Sequence, residues 1–121
     1  MSKFKTELVE RINRFFENFL EQQLGEHVTT VTTFLSGDML SVRADNCLSP
    51  AERDLMQNQR HSQLLQEFKA RQFKKVEPLL KEQLETLMGV KILNINSMVG
   101  QDGVRFEFLT LDENLENKLI T

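Results

Sequence analysis

The chain has 121 residues, 40% hydrophobic and 27% charged, with a formal net charge of -3, and a chain of that length sustains one core, so a single domain over residues 1–121 is expected. The slight negative charge excludes a global field that would gather nucleic acid or anionic lipid. The single cysteine, Cys47, excludes an intrachain disulfide and a cysteine-built zinc site.

From Lys3 to Leu24 the apolar residues Phe4, Leu8, Ile12, Phe15, Phe16, Phe19 and Leu20 recur every three or four positions, the signature of one helical face. Ser2 is the expected cap and Gly25 the expected stop. Next, VTTVTTFLSGDMLSVRAD is rich in β-branched residues and breaks at Gly37 and Asp38, which predicts a β-hairpin.

In LSPAERDL, Ser49 can cap a helix, Pro50 suits the first turn and Glu52 completes a capping box. The helical stripe that follows runs through Leu55, Met56, Leu64, Leu65, Phe68, Phe73, Val76, Leu80, Leu84 and Leu87 to Gly89. Pro78 removes a backbone hydrogen bond, so a kink or break is expected near Val76 and Glu77, giving segments of roughly 50–75 and 78–88. VKILNINSMVG and GVRFEFLTLD then alternate as a second hairpin about a turn at Gly100 to Gly103, and DENLENKLIT predicts a last helical turn. The expected fold is α+β, with four mostly antiparallel strands in one sheet and the helices packed on one face.

Residues 50–75 alone would span about 39 Å as helix, more than so small a sheet needs. That excess predicts a symmetric homodimer in which Leu55, Met56, Leu64, Leu65 and Phe68 form the self-association face.

Chemistry is sparse. Metal-ligand spacings, glycine-rich phosphate loops and nucleophile-elbow motifs are missing from the sequence, and its two imidazoles, His27 and His61, sit in polar surroundings. No catalytic residue, metal site or cofactor is therefore expected. Asp102, Asp112, Glu113 and Glu116 lack the pattern of a calcium loop and read as capping and solvated acids. Cys47 lies two residues ahead of the Ser49 cap, outside the position that would activate it. The strongest charge feature is EFKARQFKKVE, where Lys69, Arg71, Lys74 and Lys75 are expected on the solvated side with Phe68 and Phe73 turned inward. With Arg43, these cations are the candidate patch for a protein partner or for a small anion or nucleotide that controls oligomerisation. No run of apolar residues approaches the roughly 18 of a membrane span, and the charged start MSKFKTELVER is unlike a signal peptide, so a cytoplasmic protein without direct membrane insertion is expected.

Taken in order, a Phe-rich helix ending at Gly25, CLSPAERDL, a long charged helix closing on LETLMGVKILNINS, and FEFLTLDENLE resemble the small bacterial MpsC-like domain family. The chain departs from that family's Gly-Arg-Gly-Pro-like turn, having Gly25-Glu26-His27-Val28 in its place, and only loosely matches a basic motif at Lys69 and Arg71. The resemblance implies a non-enzymatic accessory or regulatory protein acting through protein contacts, linked to a sodium-translocating, membrane-potential-generating transport system and to inorganic-carbon uptake. Such a protein would be peripheral to the membrane through its partner.

Overall fold

The structure, a computed structural model, describes residues 3–119; the expected cap Ser2 lies outside them. Four strands, β1 (Thr30–Ser36), β2 (Met39–Asp45), β3 (Ile92–Val99) and β4 (Arg105–Leu111), form one antiparallel sheet in the order β1-β2-β4-β3. Each hairpin pairs within itself, and β2 pairs with β4 to join them at the centre. β3 carries an irregularity between Ile92 and Asn94 that pushes Leu93 out of register, as a bulge does.

Helix α1 (Lys3–Leu24) lays Leu8, Ile12, Phe16, Phe19 and Leu20 on one face of the sheet. It ends where Gly25 takes a left-handed φ of 67°, a conformation that a side chain disfavours, and the turn carries Glu26 into the interior. Helices α2 (Pro50–Met56) and α3 (Gln59–Met88) follow the first hairpin, and α3 covers the other half of the same sheet face with Phe73, Leu80 and Leu84. A short α4 (Leu115–Lys118) closes the described chain, with Asn114 as its cap.

The α+β architecture thus agrees with the sequence, but the long helical stretch is interrupted elsewhere than expected. It breaks at Gln57–Asn58, where Asn58 is extended and its side chain caps α3 by accepting from His61 N–H at 3.1 Å. Helix α3 continues through Pro78. One lost hydrogen bond is outweighed there by apolar packing on both sides of the proline, from Phe73 to Leu80 and Leu84, which fixes the helix against the sheet.

The break also changes where the helical stretch lies. Met56 and Leu65 pack with Cys47 and Leu48 in a second small core that Val28 and Val99 border. The inner stripe of residues 50–75 is therefore covered by its own chain. Met56 and Leu65 cannot belong to an outer self-association face; Leu55, Leu64 and Phe68 of that expected face are exposed.

Candidate functional site

Alternation along β4 places Arg105, Glu107, Leu109 and Leu111 toward the helices and Phe106, Phe108 and Thr110 toward the opposite side. Two charged side chains are thereby driven into the layer between sheet and helices, where Arg105 and Glu107 are each only 1% exposed. Burial of charge is tolerable only with partners.

The partners come from three other parts of the chain. Glu26, from the turn after α1, accepts from Arg105 Nε at 2.8 Å and from Arg105 Nη2 at 2.7 Å, a two-pronged pair. Lys69 of α3, 3% exposed, lies 3.0 Å from the same carboxylate and 3.2 Å from Glu52 of α2. Arg105 Nη1 donates to Ser97 Oγ at 2.8 Å and lies 3.2 Å from Glu107 Oε1. Ser97 Oγ–H in turn donates a hydrogen bond to Glu107 Oε1 at 2.8 Å. The ring of Phe73 lies under the guanidinium, 5.8 Å away. A cleft of about 260 Å³ between α3 and β3 adjoins this cluster, with Gln66, Lys69, Ser97, Met98, Val99 and Arg105 on its walls.

These contacts set the charge states. Desolvation works against the Arg105 guanidinium, but hydrogen bonding to Glu26 together with the negative charges of Glu26 and Glu107 outweighs it and holds the charged form still more firmly. Burial raises the Glu52 carboxyl, yet the Ser49 N–H and Lys69 bring it below the usual carboxylate range. For Glu107 burial wins and pushes the carboxyl up to about 7, although Arg105 and Ser97 pull the other way. Burial likewise pushes the Cys47 thiol up to about 11.

A family profile described as "Na+-translocating membrane potential-generating system (MpsC)" matches residues 4–105. The chain belongs to the MpsC family. No curated protein and no solved structure matches it. The MpsC segment contains Glu26, Glu52, Lys69, Ser97 and Arg105, and it stops short of Glu107.

The cations read from the sequence as one patch are distributed over different surfaces. Lys69 is buried in the cluster, because the face of α3 that carries Phe73 also carries Lys69, and Phe68 is turned out to solvent with 53% of its surface exposed. Arg71, Lys74 and Lys75 are exposed on α3, Lys74 beside Glu77 at 3.2 Å. Arg43 stands on the opposite side of the sheet, bonded to Asp45 at 3.0 Å and 5.9 Å over the Phe106 ring. Arg43 therefore does not converge with the α3 cations on one anion. Glu26, Ser97, Arg105 and Glu107 were not singled out from the sequence. The available signal was the alternation in RFEFLTL, which sets two charged residues in phase with Leu109 and Leu111.

The side of the sheet away from the helices is the second notable surface. Phe34, Met39, Met98 and Phe108 are exposed there, and the Phe106 and Phe108 rings stack at 5.8 Å. Register puts Phe34, Ser41, Phe108 and Asn96 in one row across the sheet and Thr32, Arg43, Phe106 and Met98 in the next. Among the described residues no helix is long and apolar enough to cross a membrane.

Proposed function

We propose that the protein is a non-enzymatic accessory or regulatory component of a Na+-translocating, membrane-potential-generating system, acting through protein contacts and through a reversible homodimer formed by its open sheet face. The family supports the system, and the bare aromatic face supports the mode of action. In the rows that carry the aromatic rings the charged residue is Arg43, paired with Asp45 of the same strand, so this surface offers no free cations for phosphate and no net charge to select an oppositely charged partner. A second copy of the same neutral, Phe- and Met-centred surface satisfies it.

The area is consistent with a reversible complex. Four strands of about seven residues give a flat footprint of roughly 440 Å² per copy at ordinary strand spacings. Two such faces bury about 900 Å² before side-chain relief is counted, near the lower edge of specific interfaces. Binding without catalysis is supported by the one thiol being buried and held protonated, and by His27 and His61 standing exposed.

Sedimentation of the full chain over a range of concentrations tests the reading. A monomer–dimer equilibrium in the micromolar range, abolished by Phe108→Glu and unaffected by Phe68→Glu, is the expected result. A monomer at every concentration, or loss of the dimer in Phe68→Glu alone, would overturn the sheet-face assignment.

A further inference from the structure

We propose that Glu107 is a proton-binding site built into the centre of the sheet, taking up and releasing a proton while the chain remains folded. Charge counting carries the inference. Lys69 and Arg105 contribute two positive charges to the cluster, and Glu26 and Glu52 lie against them with two negative ones. Glu107 is the fifth charge and has no counterpart left. Arg105 reaches it only with Nη1 at 3.2 Å, the guanidinium being already committed to Glu26 through Nε and Nη2.

Hydrogen bonding is equally one-sided. Ser97 Oγ and Arg105 Nη1 both approach Oε1, while Oε2 is buried without a partner. An ionised carboxylate whose second oxygen is bare in the interior is costly, and a proton on Oε2 removes that charge without disturbing the bonds at Oε1. The groups facing Glu107 are Arg105 from β4, Ser97 from β3 and, one step further, Glu26 from the α1–β1 turn. Lys69 from α3, Glu52 from α2 and Cys47 from the β2–α2 connection surround Glu26 and Arg105 in turn. A sodium ion fits the position poorly. It would sit beside a guanidinium, and among the described residues no group of three or more His, Cys, Asp or Glu is placed to hold a metal.

The proposal is independent of self-association, since it concerns a group on the inner side of β4 in each copy. It is tested by following glutamate side-chain carboxyl carbons by NMR in the full-length ¹³C-labelled protein as pH is varied. One carboxyl should titrate within about one pH unit of neutrality and vanish from the spectrum of Glu107→Gln. Ser97→Ala, which removes a donor to the ionised form, should move that midpoint upward, a change a purely structural serine would not produce. All glutamates titrating in the ordinary acidic range, or a near-neutral signal that persists in Glu107→Gln, would overturn the assignment. So would a midpoint that falls when tetramethylammonium chloride is exchanged for sodium chloride, because a metal ion would then compete for the carboxylate. The wild-type and Ser97→Ala titrations decide the matter even where Glu107→Gln fails to fold.

Discussion

Glu26 grips Arg105 through both carboxylate oxygens, at 2.8 and 2.7 Å, across 79 positions of sequence. The pair ties the end of α1 to the start of β4, and Lys69 adds α3 to the same carboxylate. Removing Glu26 leaves two buried cations short of a counter-charge, with Glu107 left 3.2 Å from Arg105 and Glu52 left 3.2 Å from Lys69. Glu26→Ala is therefore expected to cost about 3–5 kcal/mol of stability, whereas joint replacement of Glu26 and Arg105 by apolar residues of similar size costs less than the sum of the single changes. Urea unfolding of the single and double variants measures this. A Glu26→Ala loss below about 1 kcal/mol would mean that the cluster does not form as described.

Glu107 gives stability a pH dependence of definite sign. Its folded carboxyl is raised to about 7 from an ordinary value of 4.5. Between those values the folded chain keeps a proton that the unfolded chain has released, so the stabilisation present below 4.5 is lost as pH rises through 7. At about 1.4 kcal/mol per pH unit the total is on the order of 3 kcal/mol. Denaturation midpoints should fall from pH 5 to pH 7.5 and then level off. In Glu107→Gln that slope should be absent.

Lys69 separates what periodicity reveals from what it hides. The helical stripe of α3 was legible because Phe73, Leu80 and Leu84 recur at helical spacing, and the hairpins were legible because Gly37 and Gly103 interrupt clear alternation. Charge, however, is read from sequence as exposure. Lys69 lies four residues before Phe73 and so on the same face, but only the distant Glu26 and Glu52 make its burial affordable, and no local pattern announces those partners. The break at Asn58 was hidden for a related reason. Pro78 is the stronger local disruptor, yet packing overrides it, and the connection that turns back over Cys47 and Leu48 decides the path. Replacing these cations distinguishes the two environments. Lys69→Ala should cost on the order of 3 kcal/mol, while Arg71→Ala and Lys75→Ala stay within about 0.5 kcal/mol, as measured by chemical denaturation.

Ser49 and Glu52 show one motif serving two ends. Ser49 Oγ accepts from Glu52 N–H at 3.2 Å, and Glu52 Oε1 accepts from Ser49 N–H at 2.9 Å, which is the capping box expected from LSPAE. The other oxygen of Glu52 faces Lys69 at 3.2 Å. Ser49→Ala should therefore cost about 1 kcal/mol, the usual value of a cap. Glu52→Gln can preserve the acceptor of the box while removing the charge opposite Lys69. In thermal unfolding at neutral pH, Glu52→Gln is expected to be destabilising even though the box survives. Equal stability of Glu52→Gln and wild type would show that Lys69 is satisfied by Glu26 alone.

Cys47 reports on the opening of the small core under α2. It is buried with Leu48, Met56 and Leu65, and burial pushes its thiol to about 11 from an ordinary 9.0. At pH 8 that shift alone lowers the thiolate fraction about 100-fold, and the thiolate is the reactive form. Alkylation must then await a local opening that lifts α2 or the first turns of α3 away, so the labelling rate measures how often this region opens. Labelling at least 100-fold slower than a denatured control is expected. Met56→Ala, which removes packing from the same core without touching the thiol, should accelerate it in proportion to the loss of local stability. Reaction of the native protein at the rate of a free thiol would show that α2 does not cover Cys47 in solution.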